Sequence, residues 1–130
     1  MARLPETVFD ASALICLVRK ERGWEKVASF GLNGLVSSVN LVEVAYRLRK
    51  HGMPLDAVDP AVRPLVGRIV PFDDQQAYLS AAIHGQTRDN GLSLADCACL
   101  ALGLAEKAVV VTADRDWKKL KLDVKIVQIR

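Results

Sequence analysis

The chain has 130 residues, 51% hydrophobic and 25% charged, which gives one compact domain a substantial core and leaves no room for a second. Lys and Arg number 18 against 15 Asp and Glu, and a net charge of +3 permits nucleic-acid binding without pointing to it. No apolar run approaches the roughly 20 residues of a membrane span, and Met1–Thr7 lacks the apolar stretch of a signal peptide, so residues 1–130 read as one soluble, cytoplasmic domain.

Along the chain, short strands alternate with helices. Thr7-Val8-Phe9-Asp10 has the apolar, β-branched character of a buried strand, and Ala11–Lys20 follows with a helical stripe of Leu14, Ile15, Leu17 and Val18. Gly23 breaks that pattern before a short helix over Trp24–Phe30; Leu35-Val36-Ser37 is the next strand, and Leu41–His51 a helix stopped by Gly52 and Pro54. Pro60 and Pro64 interrupt a further helical stretch. Ile69-Val70-Pro71 is a third strand, after which Asp73 or Asp74 caps a helix running toward Asn90 and Gly91. Ser93 opens the helix Leu94–Lys107, Val109–Thr112 is a buried strand, and Lys125–Ile129 is the last. Strands separated by helices imply a three-layer α/β/α sandwich around a mostly parallel sheet.

Cys16, Cys97 and Cys99 are odd in number and sit in apolar stretches. That excludes a disulfide framework, and with no second Cys or His pair to complete a tetrahedral site they read as small buried residues. His51 and His84 lie apart from every acidic motif and read as surface residues.

Open parallel sheets bind ligands beyond the carboxyl ends of their strands. There the sequence places Asp10-Ala11-Ser12 after the first strand and Thr112-Ala113-Asp114-Arg115-Asp116 after the 109–112 strand. Glu43 falls in the first turn or so of the helix after the second strand, and Asp96 in the first turn of the Ser93 helix. Each acid also has a local explanation. Asp10 suits an Asx turn with the backbone around Ser12, and Asp114 can cap a short helix over Arg115–Lys119. Asp96 answers Ser93 in a capping box, and Glu43 pairs with Arg47 one turn on.

Together, the segments VFDASALICL, SSVNLVEVAYRL, LSLADCACLALG and VVTADRDW resemble, in order and spacing, the motifs of PIN-domain nucleases, the VapC toxins above all. The resemblance covers nearly the whole chain. It implies a metal-dependent endoribonuclease whose catalytic, metal-holding acids are Asp10, Glu43, Asp96 and Asp114. Thr112 matches the hydroxyl residue before the last acid, and Ser12 the small polar residue beside the first. Asp116 has two readings, a supporting acid or a helix cap.

Electrostatics agrees with a metal. Two carboxylates about 4 Å apart repel by roughly 4 kcal/mol at an effective dielectric of about 20, so four acids sharing a pocket need a cation, a proton or more distance. Oxygen-only donors select Mg2+ or Mn2+ over zinc. Asp10, Asp96 and Asp114 are the chief expected ligands, and Glu43 is either a ligand through water or the general base. Of the basic residues, Arg115 beside Asp114 is the favoured RNA-backbone contact, while Trp117 and Tyr46 are expected to pack, partly buried.

The resemblance further implies a small VapB-type antitoxin lying across the active-site groove, whose Arg or Lys would compete with metal, and a homodimer. The apolar helices Ala11–Val18 and Trp24–Phe30 could be buried in a small domain or lend residues to an interface. Two rivals stand beside the nuclease. A receiver- or phosphatase-type phosphoryl-transfer domain fits poorly, because Asp73-Asp74 follows the third strand rather than the first and no Asp-x-Asp follows the opening one. A PIN-fold protein-binding module with weak or no catalysis is the other.

Overall fold

The computed structural model describes residues 6–31 and 33–130, without the side chain of Lys118; the sequence reading of residues 1–5 lies outside them. Five strands, β1 (Thr7–Phe9), β2 (Gly34–Ser37), β3 (Arg68–Val70), β4 (Val109–Thr112) and β5 (Ile126–Gln128), form one sheet in the order β3-β2-β1-β4-β5. Every adjacent pair is parallel. Six helices connect and cover it: α1 (Ala11–Arg19), α2 (Trp24–Ala28), α3 (Ser38–Lys50), α4 (Leu55–Val62), α5 (Asp74–Gln86) and α6 (Leu94–Glu106). This is the expected α/β sandwich.

Strand alternation sorts the core into two layers. Phe9, Val36 and Val111 face a cluster with residues of α1 to α4, including Leu14, Val27, Leu48 and Val62. Their neighbours Val8, Leu35 and Val110 face a second cluster with Ile83 of α5 and Cys97 to Leu102 of α6. Because helices cover both faces, these strands read as continuous apolar runs rather than alternating ones. Gly34 is fixed by this packing: a Cβ there would lie 2.1 Å from the Phe9 ring.

Boundaries differ from the sequence reading where a residue does two jobs. Asp10 stands just outside β1 because its side chain caps α1, accepting from the Ala13 N–H. Ser37 ends β2 and caps α3 at once, so α3 begins at Ser38 rather than Leu41, and Glu43 lies in its second turn, not its first. The short helix α2 stops at Ala28, and α5 at Gln86 before a 3-10 turn over Arg88–Asn90. Pro71 falls outside β3, having no N–H to offer a ladder. Pro60 is accommodated within α4.

The apolar residues of α1 are mostly internal, with Ala11, Ala13, Leu14, Ile15 and Cys16 buried. Large apolar side chains exposed to solvent lie on later helices: Val42 and Tyr46 on α3, Leu55 on α4, Tyr78 on α5 and Leu94 on α6. Among the described residues no helix is long and apolar enough to cross a membrane.

Candidate active site

β1 lies between β2 and β4, so the chain winds outward from it in both directions, and the carboxyl ends of β1 and β4 form the switch point where open parallel sheets bind ligands. Asp10 stands there, 5% exposed. Its N–H extends the ladder by donating to the Val111 carbonyl at 3.1 Å. Its carboxylate is fixed by three donors. The Ala13 N–H reaches Oδ1 at 2.8 Å, the Ser12 hydroxyl lies 2.7 and 2.9 Å from the two oxygens, and the Thr112 hydroxyl donates to Oδ2 at 2.6 Å.

The network continues into the loop after β4. The Ala113 N–H donates to the Ser12 hydroxyl at 2.9 Å, and the Asp114 N–H to the Thr112 hydroxyl at 2.9 Å. Asp114 in turn caps the 3-10 turn Arg115–Lys119 by accepting from the Asp116 N–H at 2.9 Å. Two hydroxyls, Ser12 and Thr112, thus join the loops that carry Asp10 and Asp114. Burial pushes the Asp10 carboxyl up to about 6; the hydrogen bonds from Thr112, Ala13 and Ser12 pull against it, and the negative charge of Asp96 adds to it.

Asp96 occupies the first turn of α6. Its Oδ2 accepts from the Ser93 N–H at 3.0 Å while its own N–H donates to the Ser93 hydroxyl at 3.1 Å, a complete capping box. Glu43, on α3, lies 3.4 Å from the Arg47 guanidinium one turn on. Burial, followed by the charges of Asp10, Asp96 and Glu43, pushes the Cys99 thiol well above its usual range. Cys99 is a neutral, fully buried side chain on α6 that feels the charge of all three carboxylates.

Asp10, Ser12, Thr112 and Asp114 are joined by hydrogen bonds; Asp96 reaches Asp10 through its charge alone, and the side chain of Glu43 bonds to Arg47. The local explanations hold alongside: Asp10, Asp96 and Asp114 each cap a helix or turn, and Glu43 pairs with Arg47. Arg115 and Asp116 are exposed at the rim, and Asp116 joins the network through its backbone N–H. Trp117 is 1% exposed, more deeply packed than its sequence context suggests. Tyr46 is instead 48% exposed, with the Lys50 ammonium 5.0 Å above its ring. The sequence reading missed Asn40, buried on α3 and bonded through Nδ2 to the Ala95 carbonyl at 3.0 Å. Its signal was a polar residue three positions before Glu43, on the same helical face.

Among the described residues, no three His, Cys, Asp or Glu side chains approach closely enough to cage a metal ion unaided. The donor chemistry nonetheless fits a hard divalent cation. All candidate donors are carboxylate oxygens, and Asp10 is an acid whose buried charge a cation would relieve. Mg2+ in particular keeps several waters and binds through one or two carboxylates rather than a full protein cage.

The PIN domain family model matches residues 7–122. Among solved structures, the fold is similar to the DNA-bound VapBC of Salmonella typhimurium, with 18% identity and a TM-score of 0.77 over 98% of this chain and 100% of that one. It is similar also to FitAcB of Neisseria gonorrhoeae, with 22% identity and a TM-score of 0.71 over 94% and 96%. A third is VapC20 of Mycobacterium tuberculosis, described as a sarcin-ricin loop cleaving toxin, with 15% identity and a TM-score of 0.71 over 92% and 98%. No curated protein matches the sequence. With the family's model matched over residues 7–122, from β1 through the loop that carries Asp114, the chain belongs to the PIN domain family.

Proposed function

We propose that this PIN domain is a divalent-metal-dependent endoribonuclease and the toxin of a VapBC-type pair, acting in the cytoplasm. The observation that carries this is the buried Asp10, braced by three donors and linked through Thr112 to Asp114 at the switch point of the sheet, with the charge of Asp96 in electrostatic reach.

Asp10, Asp96 and Asp114, with Glu43, would hold Mg2+ or Mn2+ there. Such an ion supplies the Lewis acidity that activates water and stabilises charge on the oxygen leaving an RNA phosphodiester. The protein's own contribution is orientation. Ser12 and Thr112 fix both oxygens of Asp10, so its lone pairs keep one direction as substrate enters. Glu43, partly exposed, would act through water as a ligand or take the proton of the attacking water. Arg115, exposed beside Asp114, would contact an RNA phosphate.

A groove of about 470 Å3 is lined by Val39, Val42, Glu43, Tyr46, Ser93 and Ala95, so Glu43 is the acid it reaches. Its apolar walls suit a hydrophobic antitoxin segment and Glu43 an antitoxin Arg or Lys, in line with the VapBC pair this fold resembles. The same groove is what favours the second reading, a module that binds protein without cleaving RNA. Cleavage of total cellular RNA by the purified chain separates the two. The nuclease requires both a divalent cation and Asp10, so EDTA and Asp10→Asn each abolish cutting. A protein freed of antitoxin that stays inert on several RNA classes with Mg2+ and Mn2+ refutes it.

A further inference from the structure

We propose that Asn40 is a positioning residue that sets the spacing between Glu43 and Asp96, an inference that rests on the nuclease reading of those acids. Asn40 is 1% exposed, on α3, three residues before Glu43 and so on the same side of the helix. Its Nδ2 crosses to α6 and donates to the carbonyl of Ala95, the residue immediately before Asp96, at 3.0 Å. One side chain thus ties the helix that carries Glu43 to the turn that carries Asp96.

The bond is not needed to satisfy the backbone. Ala95 is the second residue of α6, where the carbonyl already belongs to the helical ladder, so Asn40 adds a second donor rather than rescuing an orphan. Its own Oδ1 is buried with no hydrogen-bond partner among the described residues, which is unfavourable. An apolar side chain of similar size would leave no amide oxygen unsatisfied and would be at least as stable. A polar residue held where an apolar one would be as stable serves geometry. The geometry here is the approach of α3 to α6, because among the described residues the side chain of Asp96 bonds only to exposed Ser93 and that of Glu43 only to Arg47. Losing the tie lets two acids drift that must act on one ion.

The test compares wild type, Asn40→Leu, Asn40→Ser and Asp10→Asn by thermal unfolding, by Mn2+ titration followed through the spin-resonance signal of the free ion, and by RNA cleavage. Asn40→Leu is expected to unfold at or above the wild-type temperature, yet to bind Mn2+ and turn over RNA roughly 10- to 100-fold less well, with KM for RNA little changed. Asn40→Ser, too short to reach Ala95, should show the same loss of metal affinity, and it decides the matter if the leucine variant does not fold. A residue that only supports the fold would lower cleavage in step with the folded fraction and leave the Mn2+ affinity of folded protein unchanged; that result overturns the proposal. If wild type and Asp10→Asn bind Mn2+ alike, the metal reading of the acids fails and this inference fails with it.

Discussion

Replacing Asp10 by Asn should stabilise the metal-free protein at neutral pH, the reverse of what removing a well-bonded buried side chain normally does. The Asp10 carboxyl is raised from 3.8 to about 6, chiefly by burial. Below pH 3.8 the folded and unfolded chains both hold the proton and the residue contributes nothing. Between there and about 6 the folded chain keeps a proton that the unfolded chain has released, so stability falls as pH rises; above about 6 the loss is complete. About two pH units at roughly 1.4 kcal/mol each put that loss near 3 kcal/mol. The Asn oxygen can accept from Ala13 and Ser12 as Asp10 does, and its amide can donate to Thr112 once that hydroxyl turns, so most of the network survives without the charge. For a domain of this size 3 kcal/mol corresponds to about 10 °C in Tm. Thermal unfolding in EDTA from pH 3.5 to 8 should therefore show the variant and wild type coinciding at the acid end and separating between about pH 4 and 6, with the variant higher. Added Mn2+ should raise the wild type alone and close the gap. A variant that melts below wild type at pH 7.5 in EDTA, or a gap independent of pH, would refute the claim that burial strains the Asp10 charge.

Thr112→Val removes the donor to Asp10 and leaves the Asp114 N–H unbonded. It should cost about 1–3 kcal/mol in urea unfolding and move the acid limb of the cleavage profile to higher pH, since the Thr112 bond is the foremost force holding the Asp10 carboxyl down. Asp96→Asn keeps an oxygen for the Ser93 N–H and should melt within about 1 kcal/mol of wild type while losing Mn2+ affinity, a separation that Asp96→Ala, which breaks the capping box, should not show. Gly34→Ala forces a Cβ against Phe9, the residue before Asp10, and should destabilise by about 1–3 kcal/mol in the same urea measurement.

The fold was legible because a parallel sheet buried on both faces advertises its strands as β-branched runs such as Val109-Val110-Val111, and because helices separate them. Asp10 and Asp114 were legible for a related reason: each immediately follows or nearly follows such a run, where parallel sheets gather their ligands. The start of α3 was not, since Ser38-Val39-Asn40 lacks an apolar periodicity of its own, while Ser37 both ends the strand and caps the helix. Asn40 was hidden for the same reason: Asn is a poor helix former whose value lies in a contact with a residue 55 positions away. That Cys99 is buried was legible, but its reach to the charges of three acids depends on how α3, α6 and β1 pack. The exposure of Tyr46 and the depth of Trp117 follow from the same packing, which periodicity along one element does not encode.

The most direct measurement is metal-dependent cleavage of RNA by single substitutions across the four acids, Asp10→Asn, Glu43→Gln, Asp96→Asn and Asp114→Asn, each shown to be folded. One shared catalytic site predicts that every variant falls roughly 100-fold or more below wild type in Mg2+. Full activity in any of the four would take that acid out of the site, and full activity in Asp10→Asn would contradict the site itself.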